Sequence, residues 1–126
     1  MQAWQIDEFG PADSLMLREV PDPAPAPGEV LVTVKAASVN PADAKLRAGR
    51  SPGADAIGFP LTLGRDFSGT VAQLGEGVTD VAVGDAVFGV LDRGHEGACA
   101  SKVVLSAALV ARKPEALSHV EAAALA

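Results

Sequence analysis

Glycine and proline fall in short clusters along the whole chain, and these clusters limit the fold more than any other feature of the sequence. Between Pro21 and Gly28, alternate residues are proline. Proline has no backbone N–H to donate, so this segment can form neither a helix interior nor a central strand. With 13 glycines and 9 prolines in 126 residues, turns should recur often and the elements between them should be short. The chain is therefore predicted to be a mainly β domain.

The segment from Glu29 to Val39 has the clearest strand pattern. Apolar side chains alternate with their neighbours along it, as on a strand with one buried face, at Val30, Val32, Val34 and Ala36. Further strands are predicted at 61–74, 86–91 and 98–105. Asn40, Pro41, Ala42 and Asp43 should open a short helix over 44–48, which Gly49 ends. Closely spaced short strands of this kind are typical of a small, partly open barrel.

Near the end of the sequence, Ser118 and Glu121 have the spacing of a helix capping box. A helix is therefore predicted from residue 118 to residue 126. A helix this short is marginal by itself, so we expect that its natural continuation is missing. Residues 1–117 are predicted to form one domain.

Charge and hydropathy argue against several classes of partner. The net charge of −6 comes without a cluster of lysine or arginine, so a nucleic-acid interface is not predicted. Apolar runs are interrupted well short of the ~18 residues that a membrane span needs, and the first ten residues contain Asp7 and Glu8 rather than a basic leader. Together with the single cysteine, Cys99, these features predict a cytoplasmic protein without a membrane partner.

Arg65 and Asp66 are adjacent charges in an otherwise apolar stretch bounded by Gly64 and Gly69. Successive side chains of a strand point to opposite faces, so these two charges cannot simply neutralise each other and at least one needs a partner elsewhere. The alternative is an exposed strand end with a solvated ion pair. Both interpretations stay open at this level.

In order along the chain, these stretches resemble the N-terminal, GroES-like catalytic domain of the medium-chain dehydrogenase/reductase superfamily, within its zinc-free quinone oxidoreductase (zeta-crystallin-like) branch. The resemblance covers essentially the whole sequence. It implies a mainly β, GroES-like, partly open β-barrel with short helices. The resemblance rests on residues 27–30, 39–43 with Lys45, Arg47 and Gly49, 64–69, 75–83, 84–87, 97–100 and 121–125.

The resemblance also bears on metal binding. The metal branch has Cys at the position of Asn40 and His-Glu at those of Arg65 and Asp66, and it carries a four-cysteine structural site; none of these is retained here. Arg offers no lone pair to a metal, so no zinc is predicted. Gly94-His95-Glu96 spells the metal motif in the wrong context, and His95 is predicted to be a loop residue. His119 is predicted to be a surface residue, and Cys99 a small apolar residue in a strand.

In this superfamily a nucleotide-binding domain follows, with a glycine-rich turn that holds the pyrophosphate. The chain contains no G-x-G-x-x-G pattern. Residues 118–126 are then expected to begin the helix that leads to a nucleotide-binding domain absent from this chain, and NADPH binding to need that domain. The family's dimer contact lies largely there too, so a homodimer is expected only of the full-length form.

Three residues are candidates for the site that the resemblance implies. Asn40 would hydrogen-bond the ribose or carboxamide of the nicotinamide end, or would only cap the helix that begins at Pro41. Asp43 would line the cofactor site, or would only accept backbone or arginine hydrogen bonds. Arg65 is the catalytic candidate, as a donor to the substrate oxygen or to the cofactor, against a structural ion pair with Asp43 or Asp66.

Two functions from different classes remain. The first is the substrate-side domain of a zinc-independent, NADPH-dependent oxidoreductase that transfers hydride to a quinone, an enone or another activated double bond. The second is an isolated GroES-like domain that acts as a binding or assembly module without catalysis.

Overall fold

A computed structural model describes residues 1–92 and 96–126. The described residues form two antiparallel sheets and two short helices. In chain order the elements are β1 (Gln2–Ile6), β2 (Met16–Glu19), β3 (Glu29–Ala37), α1 (Pro41–Arg47), β4 (Leu61–Thr62), β5 (Asp66–Leu74), β6 (Ala86–Val90), β7 (Lys102–Ser106), β8 (Val110–Arg112) and α2 (His119–Leu125). This agrees with the predicted mainly β class. None of the helices within the described ranges is long and apolar enough to cross a membrane.

The larger sheet has the order β7-β3-β5-β6-β8, and the smaller one the order β2-β1-β4. An isolated bridge between Ala3 and Ala100 and a hydrogen bond from Trp4 N to Cys99 O (2.8 Å) join β1 to the segment before β7. The larger sheet covers the main core, whose fully buried members include Phe67, Val71 and Leu91. A smaller core forms around Ile6 on the other sheet.

β3 departs in part from the predicted alternation. Val30 and Val32 are fully buried as expected, but Leu31 between them is also buried, with 6% of its surface exposed. β3 lies between β7 and β5, and α2 also packs on it. Register shifts in its pairing with β5 interrupt the alternation further.

The single strand predicted for 61–74 is wrong, because the chain forms two strands there. Gly64 has a φ of +95°, which turns the chain between β4 in the smaller sheet and β5 in the larger one. The strand predicted from Ala98 is also too long, since β7 begins only at Lys102. Ala98 and Cys99 instead donate backbone hydrogen bonds to Gly64 O and Leu63 O, both at 2.9 Å. Cys99 therefore lies in a bend and not in a strand.

The helix predictions hold with shifted bounds. α1 begins at Pro41 rather than residue 44 and ends at Arg47, before Gly49. α2 has the predicted capping box: Glu121 N donates to Ser118 Oγ (3.2 Å), and Ser118 N donates to the Glu121 carboxylate (2.8 Å). α2 packs on β3, β5 and β6. The division at residue 117 stays a prediction.

Candidate active site

A cavity of about 340 Å³ lies between α1, the loop that follows it, and the turn that joins β4 to β5. Most of its wall is apolar, and its aliphatic lining includes Leu46, Ile57, Leu61, Leu63 and Leu91. Arg65 is the only basic residue among those that line it within the described part of the chain. A wall of this composition suits an apolar ring with one polar end.

Gly64 places Arg65 in this wall. A side chain at Gly64 would put its Cβ 2.7 Å from Cys99 Sγ and 2.8 Å from Cys99 N, in addition to the strain of the positive φ. The tight turn therefore requires glycine at this position. Because the chain changes sheets there, Arg65 faces the cavity and Asp66 enters β5 as a buried residue with 9% exposure.

The guanidinium of Arg65 is anchored by a carbonyl rather than by a carboxylate. Its Nε and Nη2 donate to Leu91 O at 3.1 and 2.9 Å, and Leu91 N donates back to Arg65 O at 2.8 Å. Arg65 forms no ion pair with Asp43 or Asp66, so the structural pair that the sequence offered as an alternative is not formed. The carbonyl that anchors Arg65 carries no net charge, so a cation remains at the cavity wall, which Asp43 and Asp92 also line.

Asp66 has a different set of partners. Its Oδ2 accepts from Asn40 Nδ2 at 2.6 Å and from Ser38 Oγ at 2.9 Å. Asn40 Nδ2 also approaches Ser38 Oγ at 3.2 Å. The NH₂ group of Asn40 is thus used to bind Asp66, while its side chain also forms one half of a capping box at the start of α1, which is the alternative that the sequence offered.

Asp43 forms the reciprocal half of this capping box from inside the helix. Its Oδ2 accepts the backbone N–H of Asn40 at 2.8 Å, and the residue is 93% buried, with 7% exposure. It lines the cavity through its position on α1. Asp43 therefore has the backbone partner that was one of its predicted roles, and its role toward a cofactor stays a prediction. Asn40 is not among the residues that line the cavity but lies at the start of the helix that forms one side of it.

A second cavity, of about 310 Å³, lies on the other side of Asp43 and Leu63 and is bordered by Trp4, Val39 and Cys99. Burial and the negative charge of Asp43 raise the pKa of the Cys99 thiol. A thiol that stays protonated is a poor nucleophile. The predicted inert character of Cys99 therefore agrees with its surroundings, although its predicted strand does not.

His119 was predicted to be a surface residue, but it is half-buried. Its Nδ1 lies 2.7 Å from Ser68 Oγ, and Ser68 Oγ donates to Val87 O at 3.0 Å. Since that bond uses the only hydroxyl proton of Ser68, Nδ1 of His119 carries the proton that Ser68 accepts. Burial and the positive charges of Lys113 and Lys35 lower the pKa of His119. Ser68 is fully buried, so this pair cannot act as an exposed nucleophile and base.

No pattern in the sequence predicted the contact between Ser68 and His119. The capping box located His119 at the start of a helix, but only the packing of α2 on β5 brings it to Ser68, 51 positions away. Asn40 and Asp66 are 26 positions apart and likewise meet only because the fold brings the start of α1 to the start of β5.

Within residues 1–92 and 96–126, no three His, Cys, Asp or Glu side chains are arranged to hold a metal ion. Gly94 and His95 of the Gly-His-Glu tripeptide lie outside the described residues. Glu96 is described, and its carboxylate accepts a hydrogen bond from Thr62 Oγ1 at 2.7 Å. The absence of zinc stays a prediction.

Comparison with known proteins identifies the family. Residues 26–115 match the alcohol dehydrogenase GroES-like domain, and the chain belongs to this family.

Several of the relatives are named as oxidoreductases. The chain is 37% identical to the mitochondrial NAD(P)H oxidoreductase RTN4IP1 of Homo sapiens, over 99% of this chain and 35% of that protein. It superposes on the quinone oxidoreductase of Coxiella burnetii with a TM-score of 0.94 and 39% identity, covering 98% of this chain and 40% of the other. The quinone oxidoreductase of Escherichia coli complexed with NADPH gives a TM-score of 0.90 at 29% identity, over 98% of this chain and 36% of that one. The chain thus spans about a third of the length of the curated relative.

Proposed function

We propose that this chain is the substrate-side domain of an NADPH-dependent, zinc-independent oxidoreductase that transfers hydride to a quinone or an enone. One observation carries the proposal: the guanidinium of Arg65, held by a neutral carbonyl, is the only cation in the wall of a largely apolar cavity among its described residues. The quinone oxidoreductases among its structural neighbours support the same substrate class.

The size and lining of the cavity limit the substrate. A volume of about 340 Å³ is near the lower end of ligand pockets, which are roughly 300–1,000 Å³. It suits one or two fused rings packed against Leu46, Ile57 and Leu63. A conjugated ring also has the oxygen that a cation would recognise.

Arg65 would act on the charge that develops when the substrate is reduced. In a quinone or enone the negative charge spreads through conjugation to an oxygen, where a preorganised donor stabilises it. Nε and one N–H of Nη2 are used by Leu91 O, so the two N–H groups of Nη1 and the second N–H of Nη2 are left for the substrate. The chain contains no tyrosine to act as a phenolic acid, so the proton on the product would come from water or from residues beyond this chain.

NADPH, when bound, would supply the hydride. A cavity of about 340 Å³ is too small for the whole dinucleotide. The sequence also lacks the glycine-rich turn that holds a pyrophosphate. The residues present therefore fit only its nicotinamide end, with Asn40 and Asp43 at the start of α1 as the groups that would hold it. Remaining contacts to the cofactor would come from a nucleotide-binding domain.

A binding module without catalysis is the second candidate. The observation in its favour is that the described part of the chain has two cores of its own and no buried side-chain nitrogen or oxygen without a partner. Such a domain can fold and present the cavity to a ligand by itself.

The predicted location and partners remain proposals. We expect a cytoplasmic protein without nucleic-acid or membrane partners, and a homodimer only in a full-length form, while the human relative is named as mitochondrial.

Calorimetric titration of the 126-residue chain with NADPH tests the cofactor half of the proposal. Because this chain fits only the nicotinamide end of NADPH, we expect weak binding that Asn40→Ala and Arg65→Ala each reduce further. Arg112→Ala is the matched control, because Arg112 lies on β8 and is mostly exposed. Oxidation of NADPH in the presence of duroquinone or cyclohexenone then reports activity.

A folded chain that binds NADPH no better than its Arg65→Ala variant and reduces neither acceptor would contradict the enzymatic proposal. It would leave the binding module as the better description of this chain.

A further inference from the structure

Asn40 is held between two carboxylates that act on different parts of it. Asp43 accepts its backbone N–H at 2.8 Å, and Asp66 accepts its side-chain Nδ2 at 2.6 Å. The first contact fixes the backbone where α1 begins, and the second fixes the side chain. Both carboxylates are more than nine-tenths buried.

The partners of the amide decide which of its two ends faces Asp66. An ionised carboxylate only accepts hydrogen bonds. The hydroxyl proton of Ser38 is used toward Asp66 at 2.9 Å, so Ser38 Oγ offers a lone pair to Asn40. Both neighbours are therefore acceptors, and only the NH₂ group can face them. Rotating the amide by half a turn would set its carbonyl oxygen against a carboxylate oxygen at 2.6 Å.

The carbonyl oxygen Oδ1 of Asn40 must then point away from Asp66. In the first turn of α1, the Asn40 side chain accepts the backbone N–H of Asp43 as one half of a capping box. A carbonyl oxygen has two lone pairs, so Oδ1 keeps one for a further donor, next to the cavity that Ala42 and Asp43 line.

We propose that Asp66 is a positioning residue that orients the amide of Asn40, so that Asn40 offers an acceptor, and not a donor, to a bound ligand. This inference rests on the proposed function and makes it more specific. The matching ligand group is an N–H or O–H donor, such as the carboxamide NH₂ or a ribose hydroxyl of the nicotinamide end. The substrate oxygen, itself an acceptor, is left to Arg65.

NMR tests the orientation directly, because the chain contains one asparagine. Selective ¹⁵N-asparagine labelling assigns its single side-chain NH₂ pair, and uniform ¹⁵N labelling then shows that pair beside those of the glutamines. In the wild type we expect this pair to exchange with solvent more slowly than the NH₂ groups of the exposed Gln2 and Gln73. The protection should be lost in Asp66→Ala and largely kept in Asp66→Asn, whose side-chain oxygen still accepts. Backbone spectra of each variant report whether the fold is retained.

Wild-type NH₂ protons that exchange as fast as those of the exposed glutamines would overturn the orientation. So would unchanged protection in a folded Asp66→Ala variant. The exchange measurement needs no cofactor, so it tests the orientation of the amide even if NADPH does not bind.

NADPH titration then tests the acceptor role. Losing one hydrogen bond corresponds to roughly a fivefold weaker Kd, expected for Asn40→Ala and for Asp66→Ala. The double variant should be no weaker than either single one, because Asp66 acts through Asn40. Additive losses would overturn the positioning role. Failure of NADPH to bind the wild type, with the NH₂ pair protected, would count against the proposed function and not against the orientation.

Discussion

Gly64 offers the sharpest test of how this chain forms its candidate site. Alanine there would carry two separate penalties. Its φ of +95° is unfavourable for any side chain, and the added Cβ would lie 2.7 Å from Cys99 Sγ and 2.8 Å from Cys99 N. The sulfur can move, but the backbone nitrogen is fixed by its hydrogen bond to Leu63 O.

The two penalties can be separated with a matched glycine. Left-handed backbone costs a non-glycine residue about 1–2 kcal/mol, and overpacking costs about 1–3 kcal/mol. We therefore expect Gly64→Ala to lose about 2–5 kcal/mol of unfolding free energy. Gly77 has a φ of +83° but nothing within 4 Å of the added Cβ, so Gly77→Ala should lose only the backbone term.

Urea unfolding followed by the fluorescence of Trp4, the only tryptophan, measures both losses. A shift in midpoint with an unchanged slope reports stability alone. Adding Cys99→Ala to Gly64→Ala should recover the part of the loss that comes from the sulfur. Equal losses in the Gly64 and Gly77 variants would refute the close approach of the turn to Cys99.

Three further predictions concern the packing around the site. The pKa of His119 is lowered in the fold from its ordinary value of 6.5, so its contribution to stability is complete above that pH and declines as the pH falls below it. The urea midpoint should therefore fall less with decreasing pH in His119→Gln than in the wild type. Equal falls in the two proteins would contradict this. Ser118→Ala removes the acceptor of Glu121 N and should lower the free energy of unfolding by about 1 kcal/mol. The amides of α2 should then exchange faster with solvent, and unchanged exchange would mean that the cap is not formed. Phe67 is fully buried, whereas Phe59 is 41% exposed. Calorimetric unfolding should show that Phe67→Ala loses about 3–5 kcal/mol of unfolding free energy and that Phe59→Ala loses clearly less. Similar losses in the two variants would contradict the described core.

Local pattern predicted much of the fold. The alternation of β3, the proline at the start of α1 and the capping box of α2 depend on neighbours within a few residues, so the sequence alone carries them. The break at Gly64 was missed because 61–74 contains no proline to mark an interruption. A glycine within an apolar run is compatible with a continuous strand as well as with a change of sheet.

The candidate site was predictable in its members but not in its contacts. Arg65 and Asp43 line one cavity, and Asn40 lies at the start of the helix that forms one side of it, while their roles stay predictions. The actual partner of Arg65 could not be predicted, because carbonyl groups, such as Leu91 O, occur at every residue and leave no mark in the sequence. Ser68 and His119 could not be paired for a related reason, since only the docking of α2 on β5 brings them together.

Binding of a quinone to the cavity is the central claim of this account, and NMR of the 126-residue chain with duroquinone tests it most directly. The four methyl groups of duroquinone leave no open ring position for Cys99 to attack. We predict that amide shifts concentrate on the cavity wall around Leu46, Ile57 and Leu63, and that Arg65→Met weakens them while Arg112→Met does not. Shifts that lie elsewhere, or that survive unchanged in Arg65→Met, would contradict the claim.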